Sequence, residues 1–181
     1  IIRSLGTAQR HLVHTGTTAY DEAQPRIPGA SITGEDAGRI ERLLASGETV
    51  KVSLALSPRR LPDAPSHNVL AEIRGREKPD EFVVIGGHLD SWDVGCGAQD
   101  NGAGVVVTME AIRLLKKLGL QPRRTIRAVL FTNEENGLRG GKDYAKRHAA
   151  ELAKHVAAIE TDSGGFRPLG FGVTAGPGAV E

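Results

Sequence analysis

The sequence lacks several features that would place it in a particular class of protein. Cys96 is the only cysteine among 181 residues, which excludes a disulfide within the chain but does not fix the cellular compartment. Neither sign of charge dominates: 23 Lys and Arg oppose 22 Asp and Glu, so no nucleic-acid partner or anionic membrane surface is indicated. No apolar run approaches the roughly 20 residues needed to span a bilayer. With 39% hydrophobic and 25% charged residues, the chain is predicted to be soluble and globular.

Both ends of the sequence look cut. The chain opens on Ile1 without an initiator methionine or a signal peptide, and it stops at Glu181 shortly after another predicted strand. We therefore expect a piece of a longer protein, and the absence of targeting signals carries no information about localisation.

The pattern of predicted strands and helices changes near residue 68 and divides the sequence into two parts. The first part, residues 1–56, contains a predicted strand at Ile1–Leu5, a helix that Thr33 caps and Ser46-Gly47 ends, and an alternating strand at Val50–Leu56. Residues 57–67 include three prolines and form the predicted linker.

The second part, residues 68–181, alternates strands with helices. Strands are predicted at residues 68–73, 82–86, 125–132 and 156–161, a turn at 75–80, and helices at 102–118 and 141–154. Strand 82–86 is almost continuously apolar, as is typical of a strand buried on both faces. The order predicts an α/β fold, a three-layer α/β/α sandwich around a mostly parallel sheet.

Polar side chains of the metal-binding type follow three successive strands of this predicted sheet. They are His88, Asp90 and Asp100 after the first strand, Glu134 and Glu135 after the second, and Glu160 and Asp162 at the third. In sheets of this type the site lies beyond the carboxyl ends of the strands, where the loops converge. An imidazole together with carboxylates suits zinc or a similar divalent ion.

The spacing of these residues has a physical interpretation. Residues two apart in an extended segment point the same way, so Asp90 could accept a hydrogen bond from the His88 ring nitrogen that faces away from the metal. Asp100 precedes a helix, whose N-terminal dipole favours a carboxylate. Neighbours on a strand alternate sides, so Glu134 and Glu135 are expected not to bind one metal together. One would bind metal and the other would handle the proton of a water.

Each of these features alone has an ordinary structural interpretation. A Glu-Glu pair is usually solvated, a single histidine near a strand end is more often a hydrogen-bonded structural residue, and loops rich in Asp and Gly are usually turns. The coincidence of three such clusters after three consecutive buried strands favours a hydrolase with one or two metal ions.

These residues also carry a resemblance. The stretches "GGHLDSWDVGCGAQDNGAG", "RRTIRAVLFTNEENG" and "AAIETDSGG" resemble, in order and spacing, the family of zinc-dependent exopeptidases that comprises aminopeptidases and carboxypeptidase Q. The Ser91-Trp92-Asp93 segment is similar to the carboxypeptidase Q branch. More weakly, residues 1–56 resemble the end of the protease-associated domain that many members insert before the metal loop.

The resemblance implies a role for each candidate residue. Two zinc ions would be bridged by Asp100, with His88 and Asp162 completing one site and Glu135 binding the other ion. Glu134 would be the general base that activates a water, and Asp90 would orient His88. The family often has a cis peptide after the bridging aspartate, which here would join Asp100 to Asn101.

One part of the family pattern is missing from the sequence. The second zinc ion of the family takes a histidine from much further along the chain, beyond Glu181. His148 and His155 lie on or near the second predicted helix rather than at a strand end, so neither is expected to replace it. We therefore expect two zinc ions in the parent protein and one incomplete site in this chain, which could leave the chain alone inactive.

The remaining polar candidates have simpler interpretations. Cys96 has no basic partner nearby and is interpreted as a small loop residue rather than a nucleophile. Trp92 is equally compatible with lining a substrate cleft and with packing the loop. Ser163-Gly164-Gly165 lacks the partners of a serine triad.

The sequence thus predicts a zinc metallo-exopeptidase that hydrolyses dipeptides or short peptides with a free amino terminus. Two alternatives remain: a non-catalytic metal-binding α/β module, and a di-metal deacylase acting on a non-peptide amide. The resemblance implies a secreted or periplasmic parent. An open sheet edge would favour self-association, for example as a homodimer. No residue of a substrate pocket is assigned.

Overall fold

The computed structural model describes residues 2–3, 11, 13, 16, 18–59, 61–93, 95–162 and 164–176. Contacts within the chain divide it into two compact units. The first unit comprises Ile1–Ser66 and Trp92–Cys96, and the second comprises His67–Ser91 and Gly97–Glu181. Each unit is described by itself.

Among its described residues, the first unit contains one short parallel strand pair and one helix. Strand β1 (Ile2–Arg3) pairs with β2 (Ser31–Ile32), and helix α1 spans Gly34–Ala45. The predicted cap of α1 is confirmed, because the Thr33 hydroxyl oxygen accepts a hydrogen bond of 3.1 Å from the Asp36 amide. The rest of the predicted strand at residues 1–5 lies outside the described residues.

The strand predicted at Val50–Leu56 is wrong. Residues 50–56 are described and form no strand, and the alternating apolar side chains of Val52, Leu54 and Leu56 stay exposed. Alternation creates a strand only where a neighbouring strand satisfies the backbone groups, and no described residue pairs with this segment. The assignment of residues 1–56 to a protease-associated domain stays a prediction.

The second unit contains the central sheet. Its strands are β3 (Val69–Ile73), β4 (Lys78–His88), β5 (Arg124–Phe131) and β6 (His155–Glu160), in the spatial order β3-β5-β4-β6. Strand β4 runs parallel to β5 and β6, whereas β3 is antiparallel to β5. The predicted mostly parallel sheet is confirmed.

Two predicted boundaries in this unit need correction. The turn predicted at residues 75–80 ends earlier, since β4 already begins at Lys78, which pairs with Arg124 before a register irregularity that ends at Phe82. The helix predicted at residues 141–154 is two pieces, α3 (Arg139–Arg147) and a 3₁₀ segment (Ala149–Lys154). The break falls at His148, whose ring stacks on Tyr144 at 4.3 Å and contacts Glu151.

Helices cover both faces of the sheet. The predicted helix at residues 102–118 is confirmed as α2 (Ala103–Lys117). Gly87 of β4 faces α2, because a side chain there would meet the backbone of Gly104 and Val105. Val84 lies three positions before Gly87 and therefore faces the opposite side of the sheet. It packs with Val129 of β5 and with Tyr144 of α3. This arrangement is the predicted α/β/α sandwich. No helix in the described part of the chain is long and apolar enough to cross a membrane.

Gly104 of α2 lies tightly against Thr161, the residue that follows β6. A Cβ atom there would lie 1.9 Å from the Thr161 carbonyl oxygen, whereas one at Gly141 in α3 would meet nothing within 4 Å. We expect Gly104→Ala to lower the free energy of unfolding by about 1–3 kcal/mol through overpacking. Gly141→Ala should raise it by about 0.5–1 kcal/mol, since alanine is the better helix former. Urea denaturation of the two variants checks this, and equal effects would contradict the packing described here.

Candidate metal centre

The carboxyl ends of β4, β5 and β6 bring the sequence-predicted site residues to one edge of the sheet. Because these three strands are parallel, the residues that follow them converge. His88 is the last residue of β4. The Thr161 amide donates to the Gly86 carbonyl group, so the chain stays beside β4 after β6 ends and places Asp162 near His88. Two groups of residues each have potential ligand atoms that all lie within 4.8 Å of one another. One group is His88, Asp100 and Asp162, and the other is His88, Glu134 and Glu135.

His88 is the centre of this cluster. Its side chain is fully buried, and its Nδ1 lies 2.9 Å from the main-chain oxygen of Asp90. A carbonyl oxygen can only accept, so Nδ1 carries the hydrogen and, in the neutral ring, Nε2 carries a lone pair. That Nε2 lies 3.0 Å from Asp100 Oδ1 and 3.2 Å from Asp162 Oδ1. A lone pair facing two carboxylates requires a proton or a cation between them.

The spacing of these three atoms fits a metal ion. Ligand atoms about 2.0–2.2 Å from a tetrahedral ion lie roughly 3.3–3.5 Å apart. The observed separations from Nε2 are slightly shorter, at 3.0 Å and 3.2 Å. Small outward shifts would admit an ion that binds His88, Asp100 and Asp162.

Asp90 contacts His88 differently from the sequence prediction. The hydrogen bond to the imidazole comes from the main-chain oxygen of Asp90, and its carboxylate is 3.5 Å from Nδ1. That carboxylate instead accepts the amide hydrogens of Glu134 at 2.8 Å and Glu135 at 3.1 Å. Asp90 therefore orients the imidazole through its backbone and holds the glutamate loop through its side chain.

The argument that Glu134 and Glu135 cannot face one metal is also corrected. It assumed an extended backbone, but β5 ends at Phe131 and Asn133 adopts a left-handed conformation with φ 53°. The chain turns there, so a carboxylate oxygen of each glutamate lies within 4.8 Å of a His88 nitrogen. The distance from Glu134 Oε2 to His88 Nε2 is 3.9 Å. The geometry leaves both glutamates available to a metal.

The turn before α2 carries Asp100. It spans Ala98–Gly102 as a π-helical turn with non-helical dihedral angles at Asp100 and Asn101, and the expected cis peptide joins these two residues. Sequence reasoning missed the role of Asn101, which is buried and whose Oδ1 accepts the Gly104 amide at 3.0 Å. An asparagine just before a helix is a preferred capping residue, which could have identified it.

Burial and neighbouring charges raise the pKa of several groups in the cluster. Burial lowers the pKa of His88, but the carboxylate of Asp162 and the Asp90 main-chain oxygen outweigh that effect and raise it. Burial raises the pKa of Glu134, with further contributions from Asp162 and Asp90 against the opposing influence of His88. Desolvation and Asp162 also raise the pKa of Glu160 at the end of β6. Excess negative charge of this kind is what a bound cation would neutralise.

Glu135 provides the most direct test of fit for a metal. Its Oε1 atom is buried and has no hydrogen-bond partner in the described part of the protein. Burial, followed by the repulsion of Asp100, raises the pKa of Glu135 to about 7. A buried, unpartnered carboxylate oxygen beside other carboxylates is costly unless a cation binds it. The residues present therefore fit a divalent metal ion.

A pH dependence of stability follows from the pKa of Glu135. Folding of the metal-free chain favours the protonated form, so this contribution to stability is present below pH 4.5 and is lost as pH rises to about 7. We expect the chain to lose stability relative to Glu135→Gln across that window. Urea unfolding of both proteins in a chelator measures the difference. A difference that does not change with pH would contradict the raised pKa.

Other candidates from the sequence lie elsewhere. His148 and His155 belong to a separate network in the second unit, in which Arg127 contacts His148 and Glu151 while Tyr144 contacts His155. Neither histidine belongs to a metal-type cluster among the described residues. Trp92 and the exposed Cys96 fall in the first unit, so the role of Trp92 stays a prediction. Ser163 lies outside the described residues.

A mostly parallel sheet whose carboxyl edge gathers an imidazole and several carboxylates defines an α/β protein with a candidate metal centre of the kind that metallohydrolases use. Residues 68–180 match Peptidase family M28. The chain belongs to that family, which confirms the resemblance carried by its three motifs.

Individual relatives support the same membership. Carboxypeptidase Q of Mus musculus is 42% identical over 174 residues, which cover 96% of this chain and 37% of the mouse protein. Carboxypeptidase Q of Xenopus laevis is 42% identical over 179 residues, or 99% of this chain and 38% of that protein. The crystal structure of a Peptidase M28 precursor from Shewanella amazonensis is similar with a TM-score of 0.85 and 48% identity, covering 90% of this chain and 37% of that one. The chain thus spans little more than a third of the length of these relatives.

Proposed function

We propose that this chain carries the catalytic metal centre of a zinc-dependent exopeptidase that hydrolyses dipeptides or short peptides with a free amino terminus. The observation that supports this proposal most strongly is the arrangement around His88. Its Nδ1 donates a hydrogen bond to the main-chain oxygen of Asp90, and its Nε2 faces the carboxylates of Asp100 and Asp162. Membership of Peptidase family M28 and the similarity to carboxypeptidase Q support the reaction class.

The donor set favours zinc. His88, Asp100 and Asp162 would hold one ion. The resemblance assigns a second ion to Glu135, with Asp100 shared between the two ions. When bound, zinc would polarise the scissile carbonyl group and lower the pKa of a water. The resemblance assigns a later histidine to the second ion, so we propose that these 181 residues bind the first ion tightly and the second weakly. With its second ion site weak, the chain alone would hydrolyse little or no peptide.

Glu134 is the proposed general base. It would take a proton from the attacking water and pass it to the leaving amine. The Glu134 amide donates a hydrogen bond to the Asp90 carboxylate, and this contact fixes the main chain of Glu134. Burial raises the pKa of Glu134, which brings the group closer to neutral pH, where a base accepts and releases a proton most readily. Asp90 serves as the residue that positions both Glu134 and His88.

Two further properties are part of the proposal, one of the native protein and one of this chain. The resemblance favours a secreted or periplasmic enzyme. This chain is expected to self-associate, for example as a homodimer, because β6 is an edge strand of the described sheet and its Val156 and Ile159 are 50% and 45% exposed. Size-exclusion chromatography of the chain should show a species larger than the monomer, and a clean monomer at all concentrations would contradict this part.

A substrate panel separates the proposal from its two alternatives. We expect the native protein to hydrolyse dipeptides with a free amino terminus, to lose this activity in a chelator and to recover it with zinc. Hydrolysis of N-acyl amides in place of dipeptides would indicate the deacylase. Zinc binding without hydrolysis of either class would indicate a non-catalytic module, and either result would overturn the peptidase proposal.

A further inference from the structure

The loop that carries Glu134 and Glu135 is closed at its base by a side chain from another strand. Asn68 immediately precedes β3, and its Oδ1 accepts the amide hydrogen of Thr132 at 3.0 Å. Its Nδ2 donates to the carbonyl oxygen of Gly140 at 2.9 Å. Thr132 follows the end of β5, and Gly140 lies in the first turn of α3. One carboxamide therefore joins both ends of the loop 132–140.

The contacts inside this loop make the base a rigid unit. The Gly140 amide donates to the Thr132 carbonyl group at 2.9 Å, and the Arg139 amide donates to that of Asn133 at 2.9 Å. A Cβ atom on Gly140 would lie 2.3 Å from Thr132 O and 2.5 Å from Asn68 Oδ1. The absence of a side chain at Gly140 thus lets the two ends of the loop close against Asn68.

The other side of the loop is held by Asp90, as described above, so the glutamates are fixed from two directions. Asp90 bonds the amides of Glu134 and Glu135, whereas Asn68 bonds the residues on either side of them. Residues that orient catalytic groups through such contacts commonly affect activity about 10- to 100-fold when they are replaced. A misplacement of about 1 Å can have a similar effect.

We propose that Asn68 is a positioning residue for the general base: its carboxamide sets the place of Glu134 and Glu135 by joining the two ends of their loop. This inference rests on the proposed function for its effect on catalysis. The fixing of the loop itself can be measured without any reaction.

The matched control is Thr125, which makes the same kind of two-sided bridge at the opposite end of the sheet. Its hydroxyl group donates to the Pro79 carbonyl oxygen at 2.7 Å and accepts the Gly75 amide hydrogen at 3.0 Å. Thr125→Val removes this bridge and is a comparable loss of buried hydrogen bonds, but it lies far from the glutamate loop along β5. Asn68→Ala and Thr125→Val are therefore expected to destabilise the fold alike and to differ in the loop and in catalysis.

The first measurement is amide hydrogen exchange of the chain. We expect Asn68→Ala to raise exchange across residues 132–140 at least about 10-fold, and Thr125→Val to leave those residues unchanged. Asn68→Asp keeps the acceptor for Thr132 but places a carboxylate against the Gly140 carbonyl group, so exchange should rise mainly at the Gly140 end of the loop. Equal protection of the loop in Asn68→Ala and Thr125→Val would overturn the inference.

The second measurement is the kinetics of dipeptide hydrolysis by the native protein. Asn68→Ala should lower kcat about 10-fold and leave KM within about 2-fold of that of the unsubstituted protein. Glu134 as general base transfers a proton in the chemical step, so its displacement affects the rate rather than substrate binding. A purely structural role would lower the active fraction of both variants equally. If the unsubstituted protein hydrolyses no peptide, the proposed function fails, and exchange alone decides whether Asn68 fixes the loop.

Discussion

Replacing Glu134 by glutamine should lower dipeptide hydrolysis by the native protein about 10²- to 10⁴-fold and leave its zinc content unchanged. Glutamine preserves the size of the side chain and the amide that donates to Asp90, so the loop keeps its place. It cannot take a proton from water. The proposed ligand atoms of His88, Asp100 and Asp162 are untouched, which is why metal binding should survive.

Two further glutamine variants make this result specific. Glu135→Gln changes a proposed ligand and should weaken the binding of the second zinc ion as well as the rate. Glu110→Gln changes a carboxylate that pairs with Arg113 on the exposed surface of α2, and it should alter neither quantity. Steady-state kinetics and metal analysis on the same samples test the set. A Glu134→Gln protein with full activity would remove the general base from the account.

Replacing His88 by alanine should abolish tight metal binding, with a loss of affinity greater than about 100-fold. Both groups of candidate ligands contain His88, so no complete group survives without it. The substitution also removes the only imidazole of the cluster and leaves carboxylates that repel one another. Competition with a chromophoric chelator gives the affinity directly.

His155 provides the matched control for this substitution. It lies at the start of β6, and both of its ring nitrogens are hydrogen-bonded, Nδ1 to the Glu151 carbonyl group at 2.9 Å and Nε2 to the Tyr144 hydroxyl group at 2.8 Å. His155→Ala should destabilise the fold yet keep the metal. Equal loss of metal in the two variants would show that general unfolding, and not the removal of a ligand, explains the effect.

The fold could be predicted wherever the signal was local. Apolar runs at residues 82–86 and 125–132 located β4 and β5, and helical spacing followed by Gly119 located α2 within one residue at each end. The failures have long-range causes. Val50–Leu56 alternates but finds no partner strand among the described residues, and the early start of β4 depends on pairing between Lys78 and Arg124.

The candidate site was predictable in part, from the predicted topology of the sheet. Parallel strands must gather the residues at their carboxyl ends, so His88, Asp100, Glu135 and Asp162 could be grouped before any coordinates were known. The role of the Asp90 carboxylate could not, because its partners lie 44 and 45 residues away. Asn68 was recognised only as the start of a strand, since its contacts span 64 and 72 residues. Such contacts depend on the tertiary fold and leave no local pattern.

The most direct test of the account is the metal content of the chain after exhaustive dialysis against trace zinc, compared with Asp100→Ala. Asp100 Oδ1 lies 3.0 Å from His88 Nε2, so its carboxylate belongs to the proposed ion site itself. The account predicts near-stoichiometric zinc in the unsubstituted chain and its loss in the variant. One ion per chain would indicate that the second site depends on the later histidine, and two would indicate that another group completes it. A folded chain that binds no zinc would contradict the proposed metal centre.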